Sequence, residues 1–344
     1  MLVAALLLAL TGCSGGSAAS SSSAPSVVAS SGPVSPTGAA DGVQQAFIDV
    51  IGKVSPSVVE IRTQAGLGSG VVFDDKGDIV TNAHVVGTFT KFEVTSADGR
   101  TYSASLVATF PPNDVAVVRA QSPNGLPPAT FADSDKLKVG EIVLAIGNPL
   151  GLQSSVTNGI VSALGRTLTE PTGATLPRLV QTSAPINPGN SGGALVDLTG
   201  AVVGIPTLAA TNPTAGGSAA PGIGFAIPSN DAADFAQQMV QHGKVVNTHR
   251  AYLGVEVAQI NAPGVLVAAV QKGGPADKAG IKPGEIITQI NGQATPSLPA
   301  LGAVLATLNP GDTAQVTLRD RNGQTRTVDV TLGELPGSPA STAP

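Results

Sequence analysis

A series of short apolar segments separated by turn-forming residues runs from residue 55 to residue 228, and it restricts the fold more than any other feature. Turn sequences such as DDKGD, ADGR and DLTG divide these segments. Their apolar side chains are mainly Val, Ile, Leu and Ala, since aromatic residues make up only 3% of the chain and Trp is absent. Short strands rich in β-branched residues are typical of antiparallel barrels or sandwiches, so residues 55–228 are predicted to be all-β.

The chain of 344 residues is too long for one hydrophobic core, because single cores rarely extend beyond about 250–300 residues. Two helices are predicted to flank the β region. Apolar residues at helical spacing precede it, with Asp41 as the predicted N-cap. These residues are Val43, Phe47, Val50, Ile51 and Val54. The second helix follows residue 228, with Ser229 as its cap and Gly243 as its stop.

A second block begins at Ala251 and contains further strand segments, a helix predicted from about Ser297 to Leu308, and a hairpin closed by Asn322-Gly323. We therefore predict a first folded domain at residues 41–240, a linker at 241–250, a second domain at 251–335 and an unstructured tail at 336–344.

The N-terminal residues 2–10 are apolar throughout, too few to span a bilayer and close in length to the core of an export signal. Leu10-Thr11-Gly12-Cys13 resembles a bacterial lipobox, which implies a signal peptide at 1–13 and a lipid on Cys13. Lys and Arg are missing before the apolar core, which indicates an atypical signal or a start site placed too late. Residues 14–40 are rich in Ser, Ala and Gly and carry no charge, so we expect a flexible tether. These features predict a protein of the cell envelope, anchored to a membrane outside the cytoplasm.

The charge balance excludes one class of partner. Lys and Arg number 18 against 23 Asp and Glu, a formal charge of −5, and no basic run is present. Nucleic-acid binding is therefore not expected. Neither a metal nor a cofactor is expected. Cys13 is the only cysteine, so no intrachain disulfide can form.

Ser191 lies in the stretch PINPGNSGGALVD, residues 185–197, among residues with small side chains. The N–H groups of Gly189 and Ser191 can converge on one oxygen there, as an oxyanion hole requires. A glycine-rich turn between two strands explains the same pattern.

Two further residues have the chemistry that a serine nucleophile needs. His84, in VTNAHVV, ends an apolar strand segment and is the only histidine before residue 242, so it is the candidate base of the β region. A buried core histidine is the alternative. Asp114, in PPNDVAVVRA, stands where a loop enters an apolar strand, and a buried carboxylate there requires a partner such as an imidazole N–H. A turn-capping aspartate is the alternative.

In combination, the stretches GSGVVFDDKGDIVTNAHVV, NDVAVVRA, INPGNSGGALVDLTGAVVGI and GIGFAIPSN resemble trypsin-like serine proteases and, more closely, the HtrA (Deg) family. The resemblance covers residues 43 to about 335. It implies a mainly β fold, with two six-stranded barrels that hold a triad in the cleft between them. It assigns the nucleophile to Ser191, the general base and acid to His84, and the orienting carboxylate to Asp114. Ser183 and Ala194 depart from the Asp and Pro that are common in the family.

Substrate preference is predicted from the residues before Ser191. Proteases that prefer Lys or Arg place a carboxylate about six residues before the nucleophile, whereas this chain has Pro185 there, followed by Ile186. Ile186, with Ile205 to Thr207 as a wall, predicts cleavage after small or medium aliphatic residues.

The stretch AYLGVEV and the segments that follow it resemble a PDZ domain, an α+β fold that adds an extended peptide to a sheet edge. Tyr252, Leu253, Gly254 and Val255 match the loop that captures a peptide carboxylate, and the helix near Leu301 to Leu305 would form the other wall. A small packing domain with a filled groove is the alternative.

The resemblance implies an exported, ATP-independent serine endopeptidase that acts on misfolded or damaged envelope proteins and binds C-terminal peptides through its PDZ domain. It also implies a homotrimer, with contacts at the helix near Phe47. The alternative function is a chaperone or peptide-binding module whose active site is mostly at rest.

Overall fold

The computed structural model describes residues 38–148, 155–169, 175–187, 189–212 and 218–337. From Gly42 onward these residues form one compact unit, and of the unit that ends at Asp41 only the start of a helix is described. Cys13, the predicted signal peptide and the last residues of the predicted tail lie outside the described residues. None of the described helices is long and apolar enough to cross a membrane.

The first barrel is a closed antiparallel sheet of six strands in the order β1-β2-β3-β6-β5-β4. Helix α1 (Gly38–Val54) precedes it, and the one-turn helix α2 (Ala83–Val86) follows its third strand. The strands are β1 (Val58–Arg62), β2 (Leu67–Val72), β3 (Asp78–Thr81), β4 (Lys91–Thr95), β5 (Thr101–Phe110) and β6 (Val115–Ala120). A 3₁₀ turn at Pro111–Asn113 joins the last two strands.

Local turn chemistry explains how β2 reverses into β3. Asp74 accepts hydrogen bonds from the backbone N–H groups of Lys76 and Asp78, at 3.0 and 3.1 Å. Gly77 has a φ of +84°, which glycine adopts without steric hindrance. The DDKGD sequence therefore closes the hairpin whose second strand leads to His84.

The second barrel is also a closed six-stranded sheet, in the order β10-β11-β12-β9-β8-β7. Its strands are β7 (Ile142–Gly147), β8 (Ser155–Thr169), β9 (Thr175–Thr182), β10 (Ala194–Val196), β11 (Val202–Asn212) and β12 (Ser218–Pro228). Helix α3 (Ser229–His242) follows, and its buried Phe235 packs against Phe110 of the first barrel with ring centroids 5.1 Å apart. One apolar cluster contains residues of both barrels and of α3, so the cleft between the barrels has a continuous buried base.

The C-terminal block is an α+β domain. Its main sheet has the order β14-β15-β16-β18-β19, with β17 paired to β16, and β13 pairs with β20. The strands are β13 (Ala251–Tyr252), β14 (Val255–Gln259), β15 (Val265–Val270), β16 (Ile286–Ile290), β17 (Gln293–Ala294), β18 (Thr313–Arg319), β19 (Thr325–Thr331) and β20 (Gly333–Glu334). The helices are α4 (Pro275–Lys278) and α5 (Leu298–Leu305).

Several predicted element ends differ from the structure. Helix α1 already includes Gly38, so Asp41 lies in its first turn and not at its cap. Ser229 is the first residue of α3 and its hydroxyl donates to the Ala132 carbonyl at 2.7 Å, a tertiary contact that replaces capping. The last helix was predicted from about Ser297 to Leu308; Ser297 is the N-cap of α5, and the helix ends at Leu305. Asn322-Gly323 lies within a longer loop, closed by the N–H of Asp320 on the carbonyl of Gln324.

Candidate active site

His84 and Asp114 are brought together by the pairing of β3 with β6, in which Thr81 lies opposite Ala116. Asp114 follows the Pro111–Asn113 turn with a φ of +53° and is only 2% exposed. His84 lies in α2, immediately after β3, and not on the strand itself. Its Nδ1 is 2.9 Å from Asp114 Oδ2, and its backbone N–H donates to Oδ1 at 2.9 Å. Both oxygens of the Asp114 carboxylate therefore bind His84, one through its ring and the other through its backbone.

The second barrel contributes a third donor to this carboxylate. Thr207, on β11, is 3% exposed, and its Oγ1 donates to Asp114 Oδ2 at 2.5 Å. The Asp114 carbonyl also accepts from Asn82 Nδ2 and from the Ala83 N–H, each at 3.1 Å. These contacts fix both the carboxylate and the backbone of Asp114. With Nδ1 held by Asp114, Nε2 is the imidazole nitrogen that can accept a proton.

Ser191 lies in the turn that leads from β9 into β10, across the cleft from α2. A cavity of about 580 Å³ is lined by both His84 and Ser191. The Ser191 hydroxyl lies 3.3 Å from the carbonyl oxygen of Thr207, and the Ser191 carbonyl accepts the N–H of Ser69 at 3.0 Å. His84 and Ser191 thus border one space between the barrels, and the buried Asp114 lies behind His84.

Amide groups suited to an oxyanion are present in the same turn. Gly189 has a φ of +111°, and within the described residues neither its N–H nor that of Ser191 donates to another group. The intervening Asn190 N–H donates to the Asn187 carbonyl at 3.1 Å, and Asn190 Nδ2 donates to Pro185 at 3.2 Å. Two unpaired amide donors on either side of an anchored residue can bind one developing negative charge.

The residues predicted to form the substrate pocket separate in the structure. Ile186 and Thr207 line the cavity that contains Ser191, together with Leu67, Val85 and Phe89. Ile205 does not: it is 1% exposed and belongs to the buried apolar cluster, so its prediction as a pocket wall is wrong. A β-bulge between Pro206 and Leu208 breaks the alternation of β11, which turns Thr207 toward the cleft while Ile205 stays in the core. Sequence reasoning also missed the contact of Thr207 with Asp114, because no local pattern indicates it.

The predicted PDZ loop borders a second cavity, of about 780 Å³, between β14 and α5. Among the described residues, the N–H groups of Leu253 and Gly254 donate to no other group. The lining from this domain is mainly apolar and includes Tyr252, Leu253, Gly254, Val255, Val257, Leu298, Leu301 and Leu305. This combination of free amides beside an apolar groove can accept an extended peptide with a terminal carboxylate.

The groove also opens toward the first barrel. Pro111 and Pro112 contribute to its lining, and Arg250 Nη1 donates to the Pro112 carbonyl at 2.6 Å. Burial lowers the pKa of the Arg250 guanidinium. The turn that precedes Asp114 is therefore in direct contact with the residue that precedes β13. Among the described residues no cluster of His, Cys, Asp and Glu has the arrangement of a metal site.

Comparisons with known proteins agree with this architecture. Residues 68–205 match the profile of a trypsin-like peptidase domain, and residues 251–332 match that of a PDZ domain. The periplasmic pH-dependent serine endoprotease DegQ of Escherichia coli K12 is 40% identical over 288 residues, which are 80% of this chain and 61% of the relative. The serine protease PepD of Mycobacterium tuberculosis is 39% identical over 306 residues, 83% of this chain and 65% of the relative. The chain thus spans less than two thirds of the length of these relatives.

This chain covers a larger share of the solved structures than of the two sequence relatives. The serine endoprotease from Yersinia pestis is 36% identical, with a TM-score of 0.56 over 84% of this chain and 98% of that one. The HtrA-type protease AlgW, solved with a decapeptide, is 31% identical, with a TM-score of 0.59 over 85% of this chain and 99% of that one. Because both solved relatives exceed 30% identity over nearly their whole length, and because the two family profiles match in the same order, the chain belongs to the HtrA family of trypsin-like serine proteases.

Proposed function

We propose that this chain is a serine endopeptidase in which Ser191 is the nucleophile, His84 the general base and acid, and Asp114 the residue that orients His84. The observation that carries the proposal is the buried Asp114 carboxylate, bound at 2.9 Å to Nδ1 of His84, which lines one cavity with Ser191. Thr207 supports this arrangement from the second barrel because it donates to the same carboxylate oxygen.

The chemistry follows from these positions. Ser191 Oγ attacks the carbonyl carbon of the scissile peptide bond while His84 Nε2 takes the hydroxyl proton. The negative charge on the carbonyl oxygen is stabilised by the N–H groups of Gly189 and Ser191. The imidazolium, held by Asp114, then returns its proton to the leaving amine. Water repeats the sequence on the acyl-enzyme and restores Ser191.

A fluorophosphonate probe tests the proposal. We expect labelling of the wild type at Ser191, no labelling of Ser191→Ala, and loss of labelling in His84→Ala. Casein hydrolysis by the wild type beside Ser191→Ala gives the same comparison on a polypeptide substrate. Absence of labelling, with or without a PDZ-binding peptide, would favour the peptide-binding module over the enzyme.

We propose that substrates are cleaved after small or medium aliphatic residues. The apolar surroundings of the cavity support this, since Ile186, Leu67, Val85 and Phe89 line it beside Ser191. Cleavage of a peptide library dominated by Lys or Arg would overturn the assignment.

We assign the protease domain to residues 41–240 and the PDZ domain to residues 251–335, joined by 241–250. The two matched family profiles fall inside these limits. The apolar groove and the amides of Leu253 and Gly254 support the capture of C-terminal peptides with apolar last residues. Isothermal titration with peptides that differ only in a free or an amidated C-terminus tests this, since amidation removes the carboxylate.

We further propose an exported protein, anchored through a lipid on Cys13, that assembles as a trimer and degrades damaged envelope proteins. The relatives named periplasmic support export. Exposed apolar residues on α1, Val43 at 46% and Ile48 at 52%, support contacts between copies at this helix. Metabolic palmitate labelling tests the anchor, and mass photometry of Ile48→Glu beside the wild type tests the trimer.

A further inference from the structure

Ser69 lies on β2 of the first barrel, between two glycines, and is fully buried. Its Oγ donates to the Gly189 carbonyl at 2.5 Å and accepts the N–H of Asn148 at 2.9 Å. Its backbone is also bonded, since the Ser69 N–H donates to the Ser191 carbonyl and the Ser69 carbonyl accepts Thr81 Oγ1 at 2.7 Å. One side chain thus joins β2, the end of β7 and the turn that contains Ser191.

The two carbonyls held by Ser69 control the orientation of the proposed oxyanion donors. The Gly189 carbonyl belongs to the peptide group between the N–H of Gly189 and the N–H of Ser191. Gly189 has no side chain to restrict rotation and has a φ of +111°, so its conformation depends on external contacts. Oxyanion donors are effective only within hydrogen-bond distance of the developing charge, which leaves little tolerance for rotation of this peptide group.

Close packing also restricts the conformation of the turn that contains Ser191. A Cβ at Gly192 would collide with the Ser69 carbonyl oxygen and with Thr81 Oγ1. A Cβ at Gly147 would collide with the backbone of Asn190. The turn therefore packs directly against β2, and position 192 has room only for glycine.

We infer that Ser69 is a positioning residue of the active site, whose hydroxyl fixes the peptide group of Gly189 and thereby aims the two oxyanion N–H groups. This inference rests on the proposed peptidase function. It assigns the alignment of the oxyanion hole in the second barrel to a residue of the first.

The variant Ser69→Ala removes both the donor to Gly189 and the acceptor for Asn148. We expect kcat for a chromogenic peptide to fall about 10²-fold, the size of effect found when one oxyanion donor is lost. KM should change less than about threefold, because the pocket side chains remain in place. The pH at which kcat/KM is half-maximal should stay the same, because the contacts of His84 with Asp114 do not involve Ser69.

Ser229→Ala is the matched control. Ser229 is also fully buried and its hydroxyl also donates to a backbone carbonyl, that of Ala132 at 2.7 Å, but it has no bond to the active-site turn. Both variants should lower the melting temperature by a similar amount, and only Ser69→Ala should lower kcat. Ser69→Cys, which keeps a weak donor of nearly the same size, should lie between the wild type and Ser69→Ala. It also serves as the test variant if Ser69→Ala does not fold.

Hydrogen exchange of the amides of residues 189–193 gives a readout that does not require activity. We expect faster exchange there in Ser69→Ala and unchanged exchange in Ser229→Ala. If the wild type proves inactive but this difference appears, the proposed function fails while the positioning role stands. Unchanged exchange, or a kcat loss no greater than that of Ser229→Ala, would overturn the inference.

Discussion

The cleft between the barrels depends on hydrogen bonds between polar side chains of two barrels, whereas the groove of the PDZ domain depends mainly on apolar side chains. In the cleft, the buried Asp114 carboxylate of the first barrel is bonded to His84 and to Thr207 of the second barrel, and Ser191 lines the same cavity as His84. The groove is bordered by a contiguous loop, residues 252–255, and by apolar side chains of β14 and α5, and residues near the Pro111–Asn113 turn of the first barrel complete its lining.

This difference determines how each region responds to change. Removing one partner of a buried hydrogen bond leaves the other partner unsatisfied, so the loss is large and local. Trimming an apolar wall reduces contact area in proportion to the atoms removed. We therefore expect abrupt losses of function in the cleft and graded losses in the groove.

The largest effect is expected for Asp114→Asn, which keeps the shape of the side chain but replaces an acceptor of His84 Nδ1–H with an amide. An amide that donates to Nδ1 would hold the wrong tautomer, with the proton on Nε2, so kcat should fall by about 10⁴-fold. Steady-state kinetics with a chromogenic peptide measures this, and fluorescence anisotropy with a C-terminal peptide shows whether the PDZ domain is still folded. A loss below tenfold would mean that the carboxylate does not orient the base.

A smaller loss is expected for Thr207→Val, which removes the hydroxyl that donates to Asp114 at 2.5 Å. A hydrogen bond to a charged group contributes about 1.5–3 kcal/mol, which corresponds to a fall in kcat of roughly 10- to 100-fold. Thr207→Ser keeps the hydroxyl and is the control, with kcat expected within about threefold of the wild type. No loss in Thr207→Val, or a loss in Thr207→Ser as large as that in Thr207→Val, would contradict a role specific to the hydrogen bond.

The same contrast explains what the sequence could predict. Strands, turns and the loop at residues 252–255 were predictable because their signals are local: alternating apolar residues, glycines in turns and a contiguous motif. The proximity of His84 to Asp114 was implied by the family resemblance, and in the structure it results from the pairing of β3 with β6. The role of Thr207 did not, because it depends on a bulge in β11 and on how that strand faces the first barrel. Ile205 was misplaced for the same reason. The start of α1 was missed because Gly38 and the two alanines after it continue the composition of the tether.

A graded effect is expected in the groove for Val257→Ala, which removes two methyl groups from its lining. Each buried methylene equivalent contributes about 0.8 kcal/mol, so the affinity for a peptide with an apolar last residue should fall roughly 5- to 15-fold. Val328→Ala is the matched control, because Val328 packs against the core of the same domain but does not border the groove. An all-or-none loss of binding with Val257→Ala, or an equal loss with the control, would contradict graded apolar recognition.

The smallest effect is expected on the surface of the PDZ domain, at the ion pair of Glu285 with Arg326. The two oxygens of Glu285 accept Arg326 Nε and Nη2 at 2.8 and 2.9 Å, and these bonds lower the pKa of Glu285 below its usual 4.5. Because the pKa is lowered in the folded state, the pair stabilises the fold above pH 4.5, and this contribution is lost as the pH falls through the lowered value. Arg326 is 42% exposed, so water and salt screen the pair and limit it to about 0.5–1 kcal/mol.

Glu285→Gln should therefore be less stable than the wild type at pH 7, with a difference that shrinks toward zero as the pH falls below 4.5. Hydrogen exchange of the 313–331 hairpin in the full chain measures this difference across the pH range, and kcat at pH 7 should be unchanged because the pair is remote from the cleft. A difference that stays constant down to pH 3 would mean that Glu285 acts through packing and not through its charge. Such a result would mean that this surface contact, like the contacts of the cleft, depends on packing geometry. The contrast between the cleft and the PDZ domain would then be smaller than proposed.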